Sequence, residues 1–186
     1  NTMSDVGNVR QNNEDMILVG NEFLRDTFKN YEFDFESSEQ PFLIAIADGM
    51  GGHAGGEVAS RIAIKTLASL TSVLSSTEID SDSIEDLLQN SLHTIDSEIG
   101  EHAREAIEVR GMGTTLTALL LYGEKVALLH VGDSRAYRLR GNDFEQLSCD
   151  HTVMQELLDQ GAITPADIRD HPQRSVLTQA LMGDGN

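Results

Sequence analysis

Residues 42–47 (Phe-Leu-Ile-Ala-Ile-Ala) constrain this chain more than any other stretch. A continuous apolar run of strand length predicts a buried strand. It terminates in Asp48 and a cluster of glycines at 49, 51, 52, 55 and 56. Beyond Glu57, apolar residues recur at Val58, Ala59, Ile62, Ala63, Leu67, Leu70, Val73 and Leu74, close to the 3.6-residue period of a helix. A buried strand opening through an acidic residue and glycines into an amphipathic helix is the local frame for everything else.

The flanking sequence extends that frame. Residues 4–8 and 16–20 read as short strands around a polar link, and residues 21–40 as an irregular excursion or a loose hairpin. After a polar break at 75–83, a second helix places Ile84, Leu87, Leu88, Leu92, Ile95, Ile99, Ala103, Ala106 and Ile107 on one face. The two helices are expected to form an antiparallel pair. Residues 114–122 and 125–131 read as a hairpin around Gly123-Glu124. A second hairpin pairs 135–140 with 144–147 around Gly141-Asn142-Asp143, a sequence suited to a tight turn. Helical character returns at 152–160, at 165–169 behind the cap Thr164, and at 175–181. Short links between consecutive strands predict antiparallel sheets. With the helices segregated onto outer faces, the fold class is an α+β sandwich. At 186 residues one domain is expected.

Composition then narrows the partners. Thirteen Lys and Arg against 31 Asp and Glu leave a net charge of −18. Nucleic acid is excluded as a partner, because binding it requires a basic patch. An anionic membrane surface is excluded for the same reason. No apolar run approaches the ~20 residues that span a bilayer, and no signal peptide is expected. The single cysteine, Cys149, precludes an internal disulfide. It fits a reducing compartment, so a cytoplasmic location is expected. A lone cysteine is more often buried and inert.

Four stretches could carry chemistry. Asp48-Gly49-Met50-Gly51-Gly52-His53 offers a carboxylate and close-approaching backbone carbonyls, the oxygens that hard divalent cations take. The alternative is a glycine turn with Asp48 as a helix N-cap. Arg10 with Asn12-Asn13-Glu14-Asp15 offers a phosphate-matching guanidinium beside two carboxylates, or else a polar interstrand turn. Asp133, in Gly132-Asp133-Ser134-Arg135, is a further candidate ligand or a turn residue. Residues 148–152 read as a helix start capped by Asp150.

The order of these motifs is more specific than any one of them. The sequence resembles the metal-dependent serine/threonine protein phosphatases of the protein phosphatase 2C (PPM) family, bacterial type. The resemblance is carried by Ser4-Asp5-Val6-Gly7-Asn8-Val9-Arg10 leading to Asn13-Glu14-Asp15, by Asp48 to His53, and by Gly56-Glu57-Val58-Ala59-Ser60. It continues in Gly113-Thr114-Thr115, Val131 to Arg135, Leu147 to His151, Gly161-Ala162-Ile163-Thr164 and Val176 to Leu181. It implies a four-layer αββα sandwich and hydrolysis of phosphoserine and phosphothreonine in proteins by a metal-bridging water. It implies two Mn²⁺ or Mg²⁺ ions bridged by Asp48, one of them also bound by the Gly49 carbonyl, and a third, weaker metal at Asp133. Glu14 and Asp15 would hold waters on the metals, and Arg10 would grip the phosphate. A general acid would help the alkoxide leave; His53 is a candidate, with a metal-bound water as the alternative. The implied partners are phosphorylated proteins, with a Ser/Thr kinase opposing. Residues 150–172 match the flap beside the active site.

The family pattern also contains two aspartates, one in an Asp-Gly strand and one in an Asp-Asn element, for which residues 1–186 offer no match. Asp184 is not assigned to either. The expectation is therefore one domain lacking its C-terminal strands, which by itself binds metal weakly and turns over little. A non-catalytic, pseudophosphatase-like binding module is the alternative.

Overall fold

The computed structural model describes residues 1–32, 41–51, 54–74 and 81–185. In chain order its strands are β1 (Thr2–Met3), β2 (Asp15–Val19), β3 (Glu22–Leu24), β4 (Phe28–Lys29) and β5 (Phe42–Met50). Helices α1 (Gly55–Leu74) and α2 (Ser81–Glu105) follow, then β6 (Gly113–Thr114), β7 (Leu116–Tyr122), β8 (Lys125–Val131), β9 (Tyr137–Arg140), β10 (Asp143–Gln146) and α3 (Val153–Asp159). The α+β class holds. Six strands form one antiparallel sheet in the order β3-β2-β5-β7-β8, with β6 continuing the β5 edge past β7. Two-stranded ribbons, β1 with β4 and β9 with β10, lie apart from it.

The apolar run sits at the centre of that sheet, and the alternation of its side chains explains its composition. Leu43, Ala45 and Ala47 join Leu18, Leu116, Ala118 and Leu120 beneath the helices. Phe42, Ile44 and Ile46 face the other way, with Ile17, Val19 and Leu24. A strand apolar on both faces cannot alternate with polar residues. Helix α1 lies on the sheet through Ala59, Ala63, Ile64 and Leu67, and α2 packs over α1 through Ile84, Leu88, Ile95 and Ile99. Each fully buried Leu or Ile contributes roughly 1.5–3 kcal/mol of transfer free energy. On the second face an apolar cavity of about 360 Å³ is lined in part by Ile17, Val19, Phe42, Ile44 and Ile46.

Several sequence expectations need correcting. Residues 4–8 are a turn, not a strand: Gly7 has φ +73° and its N–H donates to Asp5 Oδ1 at 2.8 Å, a local bond that competes with a ladder. The first strand is instead Thr2–Met3. Strand β5 runs three residues past Ala47, carrying Asp48, Gly49 and Met50 in extended backbone, so Asp48 is not a helix N-cap. Helix α2 stops at Glu105, and Ile107, in a 3-10 turn, is 69% exposed. The cap of α3 is Thr152, whose hydroxyl accepts from the Gln155 N–H, not Asp150. Residues 165–169 shorten to the 3-10 turn Pro165–Asp167. Residues 175–181 are not helical, because their backbone groups bond across to other segments: Thr178 N–H to the His151 carbonyl, and Leu181 with Thr114 in both directions. Cys149 is exposed. Of the excursion at 21–40 and the polar break at 75–83, residues 33–40 and 75–80 lie outside the described residues.

Candidate active site

Antiparallel pairing of β2 with β5 sets Asp15 directly opposite Asp48. The acidic ends of two adjacent inner strands therefore meet at one end of the sheet. The Asp48 carbonyl accepts from Thr115 N–H at 2.9 Å and from the Thr114 hydroxyl at 3.0 Å, while its own N–H donates to Thr115 Oγ1 at 3.1 Å. Thr115 Oγ1 also meets Ser134 Oγ at 2.8 Å, which ties the loop bearing Asp133 to the same strand. Gly132 N–H donates to His151 Nδ1 at 3.1 Å, and the His151 N–H returns to the Gly132 carbonyl at 2.8 Å. Burial and the neighbouring His130 hold the His151 imidazole below its usual pKa, against the opposing charge of Asp150.

Glycine is required where α1 meets this end of the sheet. A Cβ on Gly49 would stand 2.1 Å from the Gly56 carbonyl oxygen and 2.7 Å from that of Glu14. Both obstacles are backbone and cannot swing away. Gly56 is likewise pressed against the Glu14 carboxylate. Close approach of these backbones brings Glu14 to the mouth of the site. There Arg10 Nη1 donates to Glu14 Oε2 at 2.7 Å, with the arginine side chain 70% exposed and the glutamate 12%.

The result is a cavity of about 320 Å³ lined by Arg10, Glu14, Asp48, Gly49, Met50, Gly51, Thr115, Asp133 and Leu177. Of the residues singled out from sequence, Arg10, Glu14, Asp48, Gly49 and Asp133 line it, and Asp15 abuts it through Asp48. His53 lies outside the described residues. Thr115 and Leu177 were given no role at the sequence level. Each lay inside a motif, but only the sheet pairing and the Thr152–Leu177 bridge reveal that they form walls.

The electrostatics are those of crowded carboxylates. The Asp48 carboxyl is pushed up to about 6 from its usual 3.8. Desolvation contributes most, followed by the charges of Asp15 and Asp133 and a hydrogen bond with Asp15; Arg10 pulls the other way. Such an arrangement favours either a shared proton or a bound cation. Among the described residues no three His, Cys, Asp or Glu side chains group tightly enough to hold an ion unaided. The donors facing the cavity are carboxylates, a hydroxyl and backbone carbonyls, the oxygen chemistry that fits Mg²⁺ or Mn²⁺.

Comparison with known proteins gives the same answer. A family model described as Protein phosphatase 2C matches residues 19–185. The serine/threonine protein phosphatase PstP of Mycobacterium tuberculosis is 39% identical over 183 residues, covering 97% of this chain and 30% of that protein. The crystal structure of the serine/threonine phosphatase Stp1 from Staphylococcus aureus superposes with a TM-score of 0.79 at 32% identity, over 99% of this chain and 66% of that one. A structure of the PstP catalytic domain in complex with two manganese ions gives a TM-score of 0.74 at 36% identity, over 97% of this chain and 65% of that one. The chain thus spans two thirds or less of the length of these relatives. With the matching fold and an acidic pocket assembled at the ends of β2 and β5, the chain belongs to the protein phosphatase 2C family.

Proposed function

We propose that this chain carries most of a metal-dependent phosphoprotein phosphatase domain, hydrolysing phosphoserine and phosphothreonine. One observation supports the reading above the others: Arg10, Glu14, Asp48, Gly49 and Asp133 come from three distant parts of the sequence and line one cavity. In this reading the Asp48 carboxylate would hold two divalent ions, Mn²⁺ or Mg²⁺, one of them shared with the Gly49 carbonyl. Glu14 and Asp15 would hold waters on them, and Asp133 would help hold a third, weaker ion. When bound, such ions make water acidic enough to serve as a nucleophile near neutral pH and offset the charge of the phosphate.

The protein's own residues supply the rest. Arg10 presents a planar fork to the phosphate oxygens, held at the cavity mouth by Glu14. Thr114 and Thr115 fix the Asp48 backbone, so its carboxylate is placed before substrate arrives. A water that has given up one proton to solvent forms a new bond from its oxygen to phosphorus, in line with the bond that breaks to the serine or threonine oxygen. That oxygen leaves with a proton, for which His53 is the proposed donor. Residues 150–172 form the proposed flap beside the site, within a single domain over residues 1–186. The partners are phosphorylated proteins, opposite a Ser/Thr kinase, in the cytoplasm that an unbridged Cys149 fits.

The test is Mn²⁺-dependent phosphate release from a phosphothreonine peptide, with Mn²⁺ titration by calorimetry. Asp48→Asn is expected to cut the Mn²⁺-dependent rate by more than about 100-fold. The comparison is made in the complete protein, since residues 1–186 alone are expected to turn over little; equal rates for Asp48→Asn and its parent there would refute the assignment. Peptide binding without turnover would point instead to the non-catalytic module.

A further inference from the structure

Glu57 and Ser60 belong to the Gly56–Ser60 motif, yet the reaction proposed above gives them no task. Both are engaged by Arg25, which follows β3 and is only 19% exposed. Arg25 Nε donates to the Asp15 carbonyl at 2.6 Å. Its Nη1 reaches Glu57 Oε2 at 3.4 Å, and its Nη2 reaches Ser60 Oγ at 3.0 Å and the Glu57 carbonyl at 3.4 Å. The hydroxyl of Ser60, itself 0% exposed, donates to the Glu14 carbonyl at 2.6 Å. That same carbonyl accepts the Gly49 N–H at 3.3 Å.

One largely buried cation therefore gathers two consecutive carbonyls, Asp15 directly and Glu14 through Ser60, and fastens them to the first turns of α1. The side chains of those two residues carry the carboxylates of the site. A peptide rotation that released either carbonyl would move both carboxylates relative to Asp48. The guanidinium suits the task because its fixed fork carries donors on three separate nitrogens and so spans the Asp15 carbonyl, Glu57 and Ser60 together, a wider reach than three donors on one ammonium nitrogen have. Its charge is answered by Glu57, so it is not spent on the acidic pocket itself.

We infer that Arg25 is a positioning residue of this site: it sets where the Glu14 and Asp15 carboxylates stand against Asp48. The inference rests on the reading of that cluster as a divalent-cation site. The alternative role for the same contacts is a staple between the β3 region and α1, with no bearing on the carboxylates.

The experiment uses the full chain with Arg25→Met, Arg25→Lys and Ser60→Ala. Native-state amide exchange of the metal-free chains is followed at Asp15 and Gly49, with Leu120 in β7 as the core reference. Arg25→Met is expected to speed exchange at Asp15 and Gly49 about 10-fold or more while Leu120 is unchanged. Ser60→Ala, which removes only the Glu14 bond, should do the same more weakly and guards against a misfolded Arg25 variant. In parallel, Mn²⁺ affinity should fall about 10–100-fold in Arg25→Met, with Arg25→Lys recovering only part. Unchanged exchange at Asp15 and Gly49, or a rise shared equally by Leu120, overturns the inference. So does Mn²⁺ affinity held at the parent value when the two amides loosen. If the parent chain itself takes up no Mn²⁺, the weak metal binding expected of residues 1–186 alone accounts for it; Arg25 is then judged by the exchange pattern, and the phosphatase reading by the Asp48→Asn assay in the complete protein.

Discussion

At the scale of single residues, Asp48 makes the sharpest prediction. Its carboxyl titrates near 6 in the folded, metal-free protein, above the usual 3.8. The native state therefore keeps a proton that the unfolded chain has lost between those pH values. Stability from this group is present below about pH 4 and is lost as pH rises through about 6. Urea unfolding of the metal-free chain from pH 4 to 7 should show this decline, and Asp48→Asn should flatten it. For the same reason, the Mn²⁺ midpoint should worsen as pH falls below about 6, with proton release on binding. Gly49 gives a steric prediction: Gly49→Ala sets a methyl 2.1 Å from the Gly56 carbonyl oxygen, and a loss of about 3 kcal/mol is expected in the same urea assay. These residues were legible in sequence because their motif stands in order with those of Arg10 to Asp15 and of Asp133; an acid and glycines at the end of an apolar run are by themselves equally a glycine turn before a helix. Arg25 was not legible: a lone arginine in a polar excursion has no local pattern, and its partners lie at positions 57 and 60.

At the scale of elements, the period of the side chains identified β5, α1, α2 and the β7–β8 hairpin, all of which bury one or both faces. Strands and helices failed to be read where backbone groups bond to distant segments. Residues 175–181 have a helix-like spacing of apolar side chains, but the Leu181 amide and carbonyl both belong to Thr114. No local propensity records that. Helix α3 is short and depends on its cap, the Thr152 hydroxyl accepting from Gln155 N–H at 3.1 Å. Thr152→Ala should cost about 1 kcal/mol. Because Thr152 also bridges Leu177, exchange should rise in α3 and at the cavity wall before it rises in the main sheet.

For the whole molecule, the charge of −18 implies self-repulsion in the folded state. Raising NaCl from about 0.01 M to about 0.15 M shortens the screening length from roughly 30 Å to 8 Å. The melting temperature of the metal-free chain should rise by about 2–4 °C per kcal/mol of repulsion relieved. A fall in melting temperature over that range would show that attractive pairs such as Arg10–Glu14 outweigh the net charge.

The cavity is closed by partners far apart in the sequence. Asp48 is held by Thr115, Thr114 is held by Leu181, and Asp96 on α2 accepts the N–H groups of Met182, Gly183 and Gly185. A chain emerging from the ribosome as far as Val131 already holds Arg10, Glu14, Asp15 and Asp48. It has neither Asp133, nor the wall at Leu177, nor the residues at 182–185 that Asp96 clasps. Most of the acids are thus synthesised early and enclosed late, and a growing polypeptide carries them well before it has the segments that wall the cavity.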